Sequence, residues 1–216
     1  MSEPGPAARR TGRTVALARF LARTRAEGPG ERTAVWVQGC AIRCPGCFNP
    51  HLWGFRGGER VTPTELARRV LDTGTAGLTL LGGEPFDQAA GLARVAAEVG
   101  AAGRSVMTFT GYTRAQLTAA VDAGRDDVAA LLAATDLLVA GPFQADRIDT
   151  RRPWVGSTNQ EFVSLGDRFP DLLDELSVSP DRVEVTVDSA GRVAVNGWAE
   201  PEALDELLAG LRGPRR

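Results

Sequence analysis

The segment Ala34-Val35-Trp36-Val37-Gln38-Gly39-Cys40-Ala41-Ile42-Arg43-Cys44-Pro45-Gly46-Cys47-Phe48-Asn49-Pro50-His51 decides how the rest of the chain is read. It opens on a short apolar run, stops that run with glycine, and places all three cysteines of the protein in the loop that follows. Three later runs have the same form. Leu78-Thr79-Leu80-Leu81 ends at Gly82-Gly83, Val106-Met107-Thr108-Phe109-Thr110 ends at Gly111, and Leu137-Leu138-Val139-Ala140 ends at Gly141-Pro142. Continuous apolar or β-branched runs closed by glycine are the pattern of parallel strands buried on both faces. Helical patterns alternate with them. Thr62-Pro63-Thr64-Glu65 reads as a capping box with proline at the first helical position, ahead of Leu66, Val70 and Leu71. Asp87 reads as the cap of a helix carrying Leu92, Val95, Ala96 and Val99. Thr113 and Gln116 form a second capping box, and Asp126 or Asp127 opens a helix through Leu131 and Leu132. Strand–helix alternation of this kind predicts βαβ units and an α/β fold.

Composition sets the outer limits. The 216 residues correspond to one domain, or one and a fraction, at roughly 150 residues per domain. Apolar residues make up 43% and charged residues 24%, a globular balance that excludes general disorder. No apolar run approaches the ~18 residues of a membrane span. The net charge of −2 speaks against a nucleic-acid surface. All 25 basic residues are arginine, so no lysine is present to form a Schiff base. Residues 1–13 read as a flexible N-terminus, 14–175 as the core, and 176–216 as an appendage of a different kind. In that appendage Val183–Val187 and Arg192–Val195 flank the turn Asp188-Ser189-Ala190-Gly191 as a β-hairpin, and a helix follows Pro201. Three clustered cysteines are a poor disulfide framework, and no secretory signal precedes the core, which predicts a reducing cytoplasm.

Three readings of Cys40, Cys44 and Cys47 are open. On one helical face they could be small core residues, but Pro45-Gly46 breaks such a helix. With His51, the only histidine, they give C-x3-C-x2-C-x3-H, a possible zinc site of a non-catalytic binding module. Alternatively, three thiolates hold a four-iron cluster and leave one iron open, as a catalytic metal requires. Glycines and loop N–H groups can then face the cluster's negative charge.

The C-x3-C-x2-C spacing resembles that of the radical S-adenosylmethionine (SAM) superfamily. The fuller string GCAIRCPGCFNPHLW resembles the small glycyl-radical-enzyme activases of the anaerobic ribonucleotide reductase activating type, with Gly46 before and Phe48 after the third cysteine. Leu80–Pro85 is similar to the family's GGEP segment and implies that Gly82, Gly83 and Glu84 meet the SAM amino group. Thr108-Phe109-Thr110-Gly111-Tyr112-Thr113 is similar to its TGYT segment, implying SAM contacts from Thr108, Thr110 and Gly111. Trp154–Gln160 resembles a WRGSSNQ segment and adds Ser157 and Asn159. Two departures stand out: Ala140 where the family usually has aspartate, and Val155 where it usually has arginine. The resemblance implies an incomplete TIM-like (β/α) barrel with the C-terminal hairpin and helix appended. It also implies a 4Fe-4S cluster on Cys40, Cys44 and Cys47, and reductive SAM cleavage to a 5′-deoxyadenosyl radical. The partner would be a glycyl radical enzyme, or a peptide or small metabolite as the alternative substrate, with flavodoxin or ferredoxin as electron donor. Neither nucleic acid nor membrane is expected as a partner.

Overall fold

The computed structural model describes residues 12–169, strands 183–187 and 193–197, and the isolated residues 191, 206 and 209. Of the expected C-terminal helix only Glu206 and Ala209 are described, both helical, and the turn at 188–190 lies outside the described residues. The elements are β1 (Val15–Thr24), β2 (Arg32–Val37), β3 (Glu59–Val61), α1 (Pro63–Asp72), β4 (Gly77–Gly82), α2 (Ala89–Ala101), β5 (Ser105–Thr110), α3 (Arg114–Asp122), α4 (Asp126–Ala133), β6 (Leu137–Ala140), β7 (Glu161–Ser164), β8 (Val183–Val187) and β9 (Val193–Gly197). The first seven strands make one sheet in the order β3-β1-β2-β4-β5-β6-β7, with β3 and β7 at its edges. The four glycine-closed runs are its centre: β2, β4, β5 and β6 are mutually parallel. Antiparallel strands β1 and β7 flank them, and β3 pairs antiparallel with β1.

The two faces of this sheet are covered differently. Val35 and Val37, Leu78 and Leu80, Val106, and Leu138 and Ala140 point to one face. There they pack on Leu66 and Val70 of α1, Leu92, Val95 and Val99 of α2, Leu117 of α3, and Val128 and Leu131 of α4. Each fully buried aliphatic side chain contributes about 1.5–3 kcal/mol, so this helical layer carries most of the core. The alternate residues point to the other face. Ala34, Trp36 and Leu81 pack with Leu52, while Met107, Leu137 and Val139 pack with Val155. No helix named above contributes to these two clusters, and loops cover them instead. Val155 takes its place in this apolar layer, a core reason for valine where the resemblance leads one to expect arginine. Ala140 likewise packs in the helical layer, 1% exposed.

The N-terminal ends of the parallel strands are tied by one buried cation. Arg32 donates from Nε to Thr79 Oγ1 (2.8 Å), from Nη1 to Pro29 O (2.9 Å) and from Nη2 to Leu78 O (2.8 Å). Burial lowers its pKa to about 10, the Asp136 charge opposing; the dense set of acceptors offsets the cost of burying the charge.

Local capping follows the sequence in part. Thr113 and Gln116 close a complete capping box on α3. Thr62 Oγ1 accepts from Glu65 N at 3.2 Å, but the Glu65 carboxylate turns to Arg68 and Arg69 rather than back to the cap. Asp87 does not cap α2. It lies in the 3-10 turn Pro85–Gln88, which Glu84 caps, and α2 starts at Ala89 without a side-chain cap. The hairpin β8–β9 forms as expected, pairing Val183 with Gly197 through Val187 with Val193.

Candidate functional site

The C-terminal ends of β2, β4 and β5 converge on a cavity of about 190 Å³, and Gly141 at the end of β6 joins its lining. Its lining includes Cys40, Cys44 and Cys47 from the loop after β2, Gly82, Gly83 and Glu84 after β4, and Thr110 and Gly111 after β5. The C-terminal ends of parallel strands are where α/β folds collect their reactive loops.

The cysteine loop is held by its own backbone. Gly39 takes φ +102° and Gly46 φ +76°, conformations that favour glycine, and Arg43 adopts a left-handed φ of +55°. Cys47 N donates to Cys44 O at 3.1 Å, and Gly39 N to Leu52 O at 2.8 Å. Several N–H groups point at sulfur. Asn49 N lies 3.4 Å from Cys47 Sγ, the backbone at Arg43 and Ile42 faces Cys40, and the backbone at Phe143 faces Cys44. Burial nonetheless pushes the Cys40 thiol up to about 11, with the Glu84 and Asp87 charges adding to the rise. Cys44 is raised chiefly by burial as well. On their own these two side chains are therefore neutral thiols, and a metal that binds them as thiolates displaces protons.

Glu84 is the hinge between two strand ends. Its Oε1 accepts from Phe86 N (2.8 Å) and from the Thr110 hydroxyl (2.9 Å), and its Oε2 accepts from Gly111 N (2.9 Å). Burial, and then the Asp87 charge, pushes its pKa to about 8 against the pull of those three donors. A carboxylate has about four acceptor positions, so one is left for a cationic ligand. Glycine at 82 and 83 is required by backbone contact as well as by the cavity. A Cβ on Gly82 would stand 2.3 Å from Val37 N, and one on Gly83 would stand 2.2 Å from Gly39 O.

The sequence reads Asp87 only as a cap, yet this residue ties the site together. It is 2% exposed. Its Oδ2 accepts from Ala41 N inside the cysteine loop (2.8 Å), and its Oδ1 accepts from the Tyr112 hydroxyl after β5 (2.8 Å). Gln88 beside it accepts from Ala16 N at 2.7 Å and donates to Gln38 O at 2.9 Å, fixing β1 to the end of β2. The sequence signal for both is their place directly after Gly82-Gly83-Glu84-Pro85, at the mouth of the site.

Other residues singled out by sequence sit around the cavity without lining it. Thr108 bonds Thr135 (Oγ1 to Oγ1, 2.9 Å) on the helical side of the sheet. Ser157 accepts from Gln144 N at 3.1 Å and fixes a loop. Asn159 donates to Pro142 O at 2.7 Å, and its Oδ1 is buried with no partner. Gly46 abuts Ala145 and Phe143. Phe48, its ring 4.9 Å from that of Phe143, lines a second cavity of about 430 Å³ adjoining the first. His51 is exposed and lines neither cavity.

Among the described residues no three His, Cys, Asp or Glu side chains come close enough to hold one metal ion. A tetrahedral zinc with Zn–S of about 2.3 Å needs its sulfurs about 3.8 Å apart. Thiolates that each bind a different corner of a multi-iron cluster stand wider. The N–H groups aimed at the Cys40, Cys44 and Cys47 sulfurs fit the negative charge of such a cluster. Three cysteines in one loop, sharing a cavity with a buried carboxyl group at the ends of parallel strands, make this a candidate metallocluster site in an α/β fold.

Comparison with known proteins gives the family. A family model described as a 4Fe-4S single cluster domain matches residues 26–163. Over 144 residues the chain is 33% identical to the anaerobic ribonucleoside-triphosphate reductase-activating protein of Vibrio cholerae, covering 62% of this chain and 87% of that protein. The protein of the same name from Enterobacteria phage T4 is 29% identical over 149 residues, 65% of this chain and 88% of its own. A shorter stretch of 64 residues is 42% identical to the pyruvate formate-lyase-activating enzyme of Clostridium pasteurianum, 27% of each chain. The chain belongs to the 4Fe-4S single cluster domain family, among the radical SAM activases. Its cofactors are accordingly an iron–sulfur cluster and SAM, as the cysteine spacing and GGEP segment led one to expect.

Proposed function

We propose that this protein activates a glycyl radical enzyme by abstracting a hydrogen atom from a glycine of that partner. The observation that supports this best is the single cavity shared by Cys40, Cys44 and Cys47, by Glu84 with Gly82 and Gly83, and by Thr110 with Gly111. When bound, the cluster and SAM supply one-electron cleavage of a sulfonium to methionine and a 5′-deoxyadenosyl radical. Cys40, Cys44 and Cys47 hold the cluster. Glu84 offers its remaining acceptor position to the SAM ammonium, whose positive charge favours the ionised carboxylate, while Thr110 and Gly111 keep that side chain aimed into the cavity. Asp87 fixes the cysteine loop against β5 so that thiols and carboxylate keep one geometry. Leu81, Phe109 and Phe143 make the inner wall apolar and keep water from the reactive carbon.

The sheet, on this reading, is the incomplete (β/α) barrel of the radical SAM type, with residues 14–175 as its core. The electron donor is a flavodoxin or ferredoxin, and the compartment is a reducing cytoplasm. Among the described residues no helix is long and apolar enough to cross a membrane. Ala140, Val155 and the C-terminal hairpin favour, as a second reading, radical chemistry on a peptide or small metabolite directly. One experiment separates the two. Reconstituted protein is reduced under anaerobic conditions with SAM and a candidate glycyl radical enzyme deuterated at glycine Cα. Deuterium in 5′-deoxyadenosine and a glycyl signal in electron paramagnetic resonance are expected. SAM cleavage without either would transfer the assignment to the second reading, and intact SAM would end both.

A further inference from the structure

The second cavity holds residues that the proposed chemistry at the thiols does not use. It adjoins the first through Glu27, Asn49, Leu81, Phe109, Phe143 and Gln160, which line both. Its floor is the loop-covered face of the sheet: Arg19 of β1, Trp36 of β2, Leu81 of β4 and Phe109 of β5. Phe48, Phe143 and Trp154 add aromatic walls, and Trp154 adopts a left-handed φ of +67° there. The far wall is Val195, Asn196 and Gly197 of β9. This strand lies outside residues 26–163, so the segment common to the family lacks it.

The hairpin is docked by specific polar contacts. Glu184 of β8 accepts from Arg25 N at 2.6 Å and from the Thr24 hydroxyl. Asn196, 6% exposed, donates from Nδ2 to Thr24 Oγ1 at 3.0 Å. Its Oδ1 receives Arg19 Nη1 at 3.5 Å, a long bond that positions more than it binds. The Arg19 guanidinium stacks 4.6 Å over the Trp36 ring. Among the described residues no carboxylate pairs with Arg19 and no other acceptor is bonded to it. A guanidinium stacked on an aromatic ring, with most of its donors uncommitted, is built to receive oxygen acceptors.

We infer that the C-terminal hairpin is the specificity wall of the radical chamber: Asn196 holds Arg19 on Trp36, and the Arg19 guanidinium binds a main-chain carbonyl of an extended peptide segment. This rests on the activase reading, in that the chamber adjoins the site of radical formation. A peptide fits the lining better than a small anion does. Glu27 lies in the same wall as Arg19, and Asn49 adds a carboxamide that both donates and accepts. Alternating C=O and N–H groups match such a mixture, while a carboxylate matches Arg19 and is repelled by Glu27. A glycine target has no side chain to read, so recognition falls to its main chain and to neighbours seated among the aromatic walls. Asn196 is a positioning residue in this scheme and Arg19 the specificity-determining one.

The test uses the reconstituted protein with SAM and a panel of end-blocked peptides. Each peptide has a central glycine flanked on both sides by a short run of alanines, with single phenylalanine, valine or serine replacements beside the glycine. Binding is read from tryptophan fluorescence, since Trp36 and Trp154 line the chamber. Arg19 is exposed, so Arg19→Gln leaves the fold intact. Losing a charge-assisted hydrogen bond raises the peptide Kd about tenfold or more, with SAM affinity by equilibrium dialysis unchanged. Arg19→Lys recovers part of the loss. Asn196→Ala weakens peptide binding in the native background and adds nothing in the Arg19→Gln background, an interdependence that mere loosening of the hairpin does not produce. Peptides that bind native and variant proteins equally overturn the wall while leaving the activase reading in place. Loss in the variants with alanine-centred peptides bound as well as glycine-centred ones upholds the wall and counts against the activase reading. Failure of every peptide, with or without binding of a free dicarboxylate, overturns the peptide assignment.

Discussion

Replacing Asp87 with alanine removes a side chain that hydrogen-bonds both the cysteine loop and the segment after β5. Two hydrogen bonds to its carboxylate are lost, from Ala41 N and from the Tyr112 hydroxyl, both at 2.8 Å. Bonds to a charged acceptor contribute about 1.5–3 kcal/mol each, and Tyr112, only 2% exposed, loses its bond to Asp87. Against this, the variant no longer buries a carboxylate beside Glu84, whose pKa its charge helps to raise. The balance is a destabilisation of about 2–4 kcal/mol. Urea denaturation of the metal-free protein measures it without interference from the cluster. Hydrogen exchange should show faster opening at Ala41. Asp87→Asn keeps an acceptor for Ala41 N and should retain most of the stability. In a double-mutant cycle, Tyr112→Phe should cost less in the Asp87→Ala background than in the native one. Additive losses, or an Asp87→Ala cost under about 0.5 kcal/mol, would refute the argument that Asp87 braces the site.

Two further outcomes follow from the same strand ends. Gly83→Ala places a Cβ 2.2 Å from the Gly39 carbonyl oxygen, a backbone atom that cannot turn aside. Overpacking costs typically about 1–3 kcal/mol, so a loss near the top of that range, about 3 kcal/mol, is expected in denaturant, with impaired cluster loading; a native-like midpoint would contradict the close approach. The second outcome concerns pH. The folded Glu84 keeps its proton up to about 8, whereas in the unfolded chain it ionises near 4.5. Between those values the native state binds the extra proton, so the Glu84 contribution to stability falls as pH rises, by up to about 1.4 kcal/mol per pH unit. Metal-free protein should lose stability from about pH 5 to about pH 8, and Glu84→Gln should flatten the slope. A slope unchanged in that variant would show that Glu84 is already ionised.

The parts of this molecule that were legible in the sequence are those that local chemistry dictates. β2, β4, β5 and β6 announce themselves because both faces are buried, which demands an unbroken apolar run, and because each turns into the site through glycine. The hairpin was legible through its alternation. β1 was not: its register shifts twice against β2, between Leu17 and Arg19 and between Leu21 and Thr24, which breaks the two-residue period by which a strand is recognised. β7, four residues with none fully buried, carries too little pattern to stand out. The same division runs through the site. Three cysteines in a spaced loop state their chemistry wherever they are placed. Asp87 states nothing by itself, because a carboxylate ahead of a helix is usually a cap; only the fold, by bringing Ala41 and Tyr112 to its two oxygens, gives it a task. Thr108 and Thr110 show the converse. They are two residues apart on one strand and alike in sequence, yet they share the helical side of the sheet with different partners. Thr108 meets Thr135, while Thr110 sits at the strand end where Glu84 reaches it. What chooses between them is distance from the C-terminal edge of the sheet. That edge is where backbone pairing ends and where side chains rather than ladder bonds must hold neighbouring strands together. Arg32 does this work at the opposite edge with one buried cation. Glu84 does it at the reactive edge with a buried carboxyl group that still has an acceptor position to give, and this is why the same side chain can both tie two strands and receive a ligand.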